Sequence, residues 1–240
     1  MIKRYVREIE RYYNQPDVPS PGQLYFDHNK FRFAFTLMKI EQYVKIGSTV
    51  LDVGAGSRFF SYVLMERGFN VSSCDYHDVS DVRYIDNIPH FKYNINNQIW
   101  NGEKFDAIVC SEVLEHTMLN LKNGVKRLSL FCHNNSTIII SVPNIYSINH
   151  LLRIIRGIHI VENYPDEVQM HGEIVLDMRD HKRECTKKEV IDAALFNNLK
   201  VCEVGNCHSS IPFNYPMISK IIPPQLRQHI YGVFKAMSTD

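Results

Sequence analysis

The sequence predicts an α/β fold: a mostly parallel sheet with helices on both faces, a helical N-terminal cap and an insertion after the fifth strand. Three observations predict it. Short β-branched runs alternate with helix-length segments through the middle of the chain, the pattern that builds parallel sheets. The first run, 48–53, ends in the turn Asp52-Val53-Gly54-Ala55-Gly56, and a helix-compatible segment follows at once. A second apolar run, 69–74, ends in Asp75, at about the 20-residue spacing of nucleotide-binding βαβ units.

In chain order, residues 2–13 carry Ile2, Tyr5, Val6 and Ile9 on one helical stripe. Pro16, Pro19 and Pro21 break it. A second helix, His28 to Val44, carries Phe31, Phe35, Met38 and Tyr43, with Gly47 in the position of its C-cap. Strands are expected at 48–53, 69–74, 90–95, 105–110 and 137–142, and helices at 58–67, 118–131 and 187–197. Thr186-Lys187-Lys188-Glu189 is a capping box for the last helix, and a strand, Lys200 to Val204, follows it. The insertion, 144–181, opens with an apolar helix, Ile148 to Ile155, accompanied by Arg153 and Arg156. This segment reads either as a buried cover helix or as a peripheral membrane contact. The tail holds Pro212, Pro216, Pro223 and Pro224, then an amphipathic helix from Gln225 to Phe234, with no clean seventh strand. The implied organisation is a cap (1–46), a main domain (47–208, with the insertion) and a C-terminal extension (209–240).

Composition narrows the function. The chain has 240 residues, 45% hydrophobic and 22% charged, with 27 basic and 26 acidic side chains. Net charge near zero argues against a nucleic-acid partner. No apolar run reaches the roughly 18 residues of a membrane span. Met1-Ile2-Lys3-Arg4 leads into a charged helix, so reduced cysteines and a cytoplasmic location are expected. Cys202, Cys207 and His208 fit no common zinc spacing.

The turn after the first strand carries the chemistry. Its glycines let the backbone approach a ligand closely. Arg58 stands where a dinucleotide site has its third glycine, so the loop suits a nucleoside without phosphates better. Asp52 would repel a pyrophosphate and attract an ammonium or sulfonium group. Asp75 suits the two hydroxyls of a ribose. A ligand with a cationic amino acid at one end and a ribose at the other is S-adenosylmethionine.

At this point the chain resembles the class I S-adenosylmethionine-dependent methyltransferases, which have a Rossmann-like fold. The resemblance rests on Leu51-Asp52-Val53-Gly54-Ala55-Gly56, on Asp75, on the string from Phe105 to His116 that ends Glu112-Val113-Leu114-Glu115-His116, on Ile140-Ser141-Val142-Pro143-Asn144, and on His181-Lys182-Arg183. It covers roughly residues 40–205 and looks like the branch acting on small molecules, quinones and glycans. It implies a cofactor site of Asp52, Gly54, Ala55, Gly56, Asp75, Tyr76, Asn94, Ile95, Ser111 and Glu112. Asn94 replaces the family's usual aspartate as acceptor for the adenine amino group, or merely ends a strand.

Glu112, Glu115 and His116 end the fourth strand, where methyl and acceptor should meet. Three readings stand: a divalent-metal site, a general base at His116, or a structural cluster in which Glu112 shapes the cofactor pocket and Glu115 caps the next helix. His181 is expected to orient the acceptor, complete a metal site or stay solvated. Contacts to a small-molecule or glycan acceptor are expected from Tyr25, His28, Arg32, Tyr146, His150 and His181, in the cap and the insertion. The activity implied is methyl transfer to an oxygen, or less readily a nitrogen, of a small molecule or sugar. Its rivals are a metal-assisted RNA 2′-O-methyltransferase and a non-catalytic cofactor-binding subunit.

Overall fold

The computed structural model describes residues 1–16, 18–19, 21–76, 87–160, 167–170, 173–176, 182–208 and 222–237. The chain opens with α1 (Ile2–Tyr13), which buries Val6, Ile9 and Tyr12 on the stripe its periodicity predicts. The next helix, α2 (Gln23–Tyr43), begins at Gln23 rather than His28. Gly22 accepts its first turn through the Phe26 amide, and Leu24 and Tyr25 in that turn face outward, so no apolar stripe announced it. The helix ends in extended backbone at Val44. Gly47 is not its cap: it sits in the next turn with φ 87°, its amide donating to the Gly68 carbonyl at 3.0 Å.

From there strands and helices alternate: β1 (Thr49–Val53), α3 (Phe59–Glu66), β2 (Asn70–Asp75), β3 (His90–Lys92), β4 (Phe105–Ser111), α4 (Leu121–Ser129), β5 (Cys132–Pro143), α5 (Ile148–Ile155), β6 (Glu167–Met170), β7 (Glu173–Leu176), α6 (Lys187–Phe196), β8 (Leu199–Cys207) and β9 (His229–Ala236). The main sheet has seven strands in the order β3-β2-β1-β4-β5-β9-β8. The strands from β3 to β5 run parallel, and β9 runs antiparallel to both its neighbours, β5 and β8. A separate two-stranded hairpin, β6 with β7, lies in the insertion.

Alternation along the strands explains why the sheet is covered on both faces. Leu51, Val53, Ile108, Cys110, Ile138 and Ile140 pack with Val125, Leu128, Val190 and Ala193 of α4 and α6. Val50, Ala107, Val109 and Ile139 point the other way, onto Ile9, Leu37, Ile40, Phe60 and Val63 of α1, α2 and α3.

The tail is the main correction. Of the helix expected from Gln225 to Phe234, Gln225 and Leu226 fall in a 3-10 turn and His229 onward is strand β9, which supplies the seventh strand. A short apolar run buried on both sides does not reveal its period. Here Ile230 and Phe234 enter one core and Val233 the other, which is strand spacing. The parallel strands bring Val53, Asp75, Lys92, Ser111 and Pro143 to one edge. Because β9 is antiparallel, its first residue, His229, reaches that same edge opposite Pro143.

Candidate active site

The site forms along this edge, beginning with the turn after β1. Gly54 has φ 73° and donates to the Cys74 carbonyl; a Cβ there would lie 2.3 Å from a methyl of Val113. Gly56, at φ 50°, gives its amide to Asp75 Oδ2 at 2.9 Å, joining the first turn to the end of β2. Arg58, in place of a third glycine, also takes left-handed backbone, at φ 62°, immediately before α3. Its buried guanidinium donates to the carbonyl of Ile88, so the side chain ties this turn to the approach to β3.

Two cavities meet at Gly54. The first, about 200 Å³, is lined by Gly54, Asp75, Tyr76, Tyr93, Asn94 and Ile95, with Glu112, Val113 and His116 opposite. The second, about 340 Å³, is lined by Asp52, Gly54, Ala55, Gly56, Ser57 and Ser111, with Tyr25, Arg32, Phe33, Phe59 and Phe60 around them. Every residue expected at the cofactor lines one cavity or the other. Asn94 Oδ1 also accepts from the Asn96 amide at 3.0 Å, a local turn that leaves the oxygen one lone pair.

Tyr25 and Arg32 of α2, which the sequence reading places with the acceptor, share a cavity with Asp52. Arg32 is buried, and donates to the Ser111 carbonyl (3.2 Å), Ser111 Oγ (3.0 Å), Tyr25 OH (2.8 Å) and Asn29 Oδ1 (3.1 Å). Asp52 is buried too, accepting from Ser61 Oγ at 2.6 Å. Burial, with some repulsion from Asp75, pushes the Asp52 carboxyl up to about 6, against the pull of Ser61 and Arg32.

The cluster ending β4 divides. Glu112 takes left-handed backbone, φ 56°, and accepts from Ser141 Oγ at 2.9 Å, while its Oε2 lies 2.8 Å from His229 Nδ1. Burial opposes its ionisation, yet His229, Arg32 and Ser141 together hold it below the ordinary carboxylate range. Glu115 lies in the 3-10 turn Leu114–His116, fully buried, and neither carboxyl oxygen finds a hydrogen-bond partner. Burial, then the charge on Glu112, raises its pKa well above the ordinary carboxylate value. It does not cap α4; Asn120 does, accepting from the Asn123 amide. His116 Nε2 lies 3.8 Å from Glu115 Oε1, on the wall of the first cavity. Among the described residues no three His, Cys, Asp or Glu side chains converge as a metal-holding group. His181 lies outside the described residues.

Sequence reasoning missed Ser141 as a ligand of Glu112, and missed His229 altogether. Ser141 was visible only as part of a motif string, and His229 sat in a segment read as helix. The reading of 148–155 as a buried cover helix is also corrected: α5 buries none of its residues, and Ile154 and Ile155 are exposed. No helix among the described residues is long and apolar enough to cross a membrane.

A family profile described as "Methyltransferase domain" matches residues 26–173. A 97-residue stretch is 30% identical to the ribosomal protein L11 methyltransferase of Campylobacter concisus, covering 38% of this chain and 34% of that protein. The chain thus spans about a third of the length of that curated relative. Solved structures share the fold. The 1,6-didemethyltoxoflavin-N1-methyltransferase of Burkholderia thailandensis superposes with a TM-score of 0.60 at 12% identity, over 97% of this chain and 87% of that one. The N-methyltransferase NodS of Bradyrhizobium japonicum, in complex with S-adenosyl-L-homocysteine, gives 0.54 at 12% identity, over 98% and 99%. With the profile match spanning more than half its length, the chain belongs to the methyltransferase domain family.

Proposed function

We propose that the two cavities hold one molecule of S-adenosylmethionine, and that its methyl group goes to an oxygen of a small molecule or sugar. The observation that carries this reading is the meeting of both cavities at Gly54, with Asp52 and Arg32 in one and Asp75 in the other. An amino-acid end needs an anion for its ammonium and a cation for its carboxylate, and Asp52 and Arg32 are that pair. Asp75 suits ribose hydroxyls. Asn94 and Ile95 offer adenine an acceptor and an apolar wall, and Tyr76 stands at the rim. The cofactor supplies an electrophilic methyl on sulfur. The chain supplies alignment and exclusion of water, for which Phe33, Phe59 and Phe60 suit the second cavity.

The test has two stages. Titration calorimetry should show S-adenosylmethionine or S-adenosylhomocysteine binding at least tenfold more tightly than NAD. Radiolabelled methyl transfer is then measured to a panel of phenols, hydroxylated metabolites and sugar derivatives, with amines, RNA and ribosomal protein L11 alongside. Label on a hydroxyl compound supports the reading. Label only on amines, RNA or protein overturns the acceptor class, and preferential binding of NAD overturns the cofactor.

A further inference from the structure

We infer that His229, oriented by Glu112, is the base that receives the acceptor's proton; this rests on the methyl-transfer reading above. His229 opens β9 at the edge where the parallel strands end, beside Pro143 of β5. Its side chain is 12% exposed. Nδ1 lies 2.8 Å from Glu112 Oε2, and no hydrogen bond occupies Nε2 among the described residues. The contact is close but off hydrogen-bond alignment in this conformation; a small turn of the ring would point an Nδ1–H at the carboxylate and leave the lone pair on Nε2.

The carboxylate is itself held. Glu112 Oε1 accepts from Ser141 Oγ, which lies 2.8 Å from Ser111 Oγ, which in turn accepts from Arg32. This chain of contacts runs from the second cavity to the outer edge of β5. The left-handed backbone of Glu112 is costly for a residue with a side chain, and such conformations concentrate at functional sites. His116, one of the candidate bases in the sequence, lies 3.8 Å from Glu115 and lines the first cavity.

The proton step balances. An acceptor hydroxyl gives its proton to Nε2 as its oxygen bonds to the transferred methyl. The electron pair of the broken carbon–sulfur bond stays on sulfur, and His229 later releases the proton to solvent. The charged and titratable groups around His229 are Glu112 from the end of β4, Arg32 from α2, His208 after β8 and Arg227 before β9. Burial, Arg227 and His229 push His208 down to about 4, so it does not titrate near neutrality.

The test compares wild-type protein with His229→Gln and Glu112→Gln. Long-range ¹H–¹⁵N spectra of the cofactor-free protein should show His229 as the Nδ1–H tautomer, its resonance identified by loss in His229→Gln. Glu112→Gln should disturb that tautomer. With an acceptor found in the panel, His229→Gln should lose 10²–10⁴-fold in kcat while cofactor affinity stays within about threefold. The acidic limb of the kcat/KM profile should vanish with it. A proton on Nε2 in the free protein, or a His229→Gln enzyme within threefold of wild type and with an unaltered pH profile, overturns the dyad alone. Wild-type protein that binds cofactor but methylates nothing in the panel overturns the methyl-transfer reading, and the dyad with it.

Discussion

The two cavities of the cleft are built in different ways. The first draws Gly54, Asp75, Tyr76, Asn94 and Ile95 from β1, β2, β3 and the turns between them, a stretch of chain in which each strand pairs with its predecessor. The second, with the edge beyond it, draws Tyr25 and Arg32 from α2, Ser111 from β4, Ser141 from β5 and His229 from β9. One half follows largely from the β1–β2–β3 geometry, with Glu112, Val113 and His116 after β4 closing it. The other exists only when both ends of the chain have closed on the sheet. Its charges, Asp52 and Arg32, are withdrawn from water, and Arg32 also acts on Glu112 across the boundary with the first cavity. Damage to the first half should therefore appear as lost binding, and damage to the second as lost binding and lost stability together.

The largest effect is expected from Arg32→Ala. The substitution leaves the Ser111 carbonyl without its side-chain donor and removes positive charge from beside Glu112. Breaking a buried charge network of this kind costs about 3–5 kcal/mol. At roughly 2–4 °C per kcal/mol the melting temperature should fall by about 10 °C, and cofactor affinity by about 100-fold. Lysine should not rescue it, because a point ammonium cannot span Ser111 and Tyr25 at once. Asp75→Ala is the matching lesion in the first half. It should cost about 1.5–3 kcal/mol of binding, ten- to a hundredfold, and under about 1 kcal/mol of stability. Calorimetry and thermal unfolding of both variants decide the matter. An Asp75 variant that melts lower than the Arg32 variant would break the contrast.

The same contrast governs what could be read from the sequence. Asp52-Val53-Gly54-Ala55-Gly56 and Asp75 announce themselves because short-range backbone geometry requires those residue types at that spacing. The strands β1, β2 and β4 were found within a residue or so, since β-branched runs bounded by turns have few other readings. The start of α2 is not legible because Leu24 and Tyr25 in its first turn are exposed and carry no apolar stripe. β9 was missed because Ile230-Tyr231-Gly232-Val233-Phe234 is apolar on both faces. His229 could not be connected to Glu112 before β9 was seen as a strand, because nothing local joins residues so far apart in the chain.

A smaller effect concerns pH, and tests whether burial sets the character of the second cavity. Asp52 has its carboxyl raised to about 6, above the ordinary 3.8. In the free protein it is therefore protonated below that value and ionised above it. Between about pH 4 and 6 the folded state holds a proton that the unfolded chain has released, so this group makes the free protein more stable as pH falls through that window. Binding of an ammonium has the opposite sign, because it requires the carboxylate. Affinity for S-adenosylmethionine should be level above pH 7 and about tenfold weaker at pH 5. Asp52→Asn should bind more weakly at pH 7 and lose the pH dependence. Titrations from pH 5 to 8 check this, and a flat wild-type profile would mean that Asp52 is ionised throughout that range.

The smallest effect tests whether the scaffold behind the second cavity is separable from its ligands. Thr186 opens α6 with a complete capping box: its hydroxyl accepts from the Glu189 amide, and the Glu189 carboxylate accepts from the Thr186 amide. Arg183 adds an ion pair to Glu189 at 2.7 Å. The helix then sets Val190, Ala193 and Ala194 against the core shared with β8 and β9. None of these residues lines either cavity. Thr186→Ala should cost about 1 kcal/mol, the usual worth of an N-cap, and lower the melting temperature by about 2–4 °C. Cofactor affinity should stay within about twofold, because β9 is held on its other side by β5 from His229 to Lys235. If affinity instead fell in step with stability, α6 would be setting the position of His229 and Glu112 through β9. The long-range half of the cleft would then extend through the helix layer, and the line drawn between ligand and scaffold would have to move.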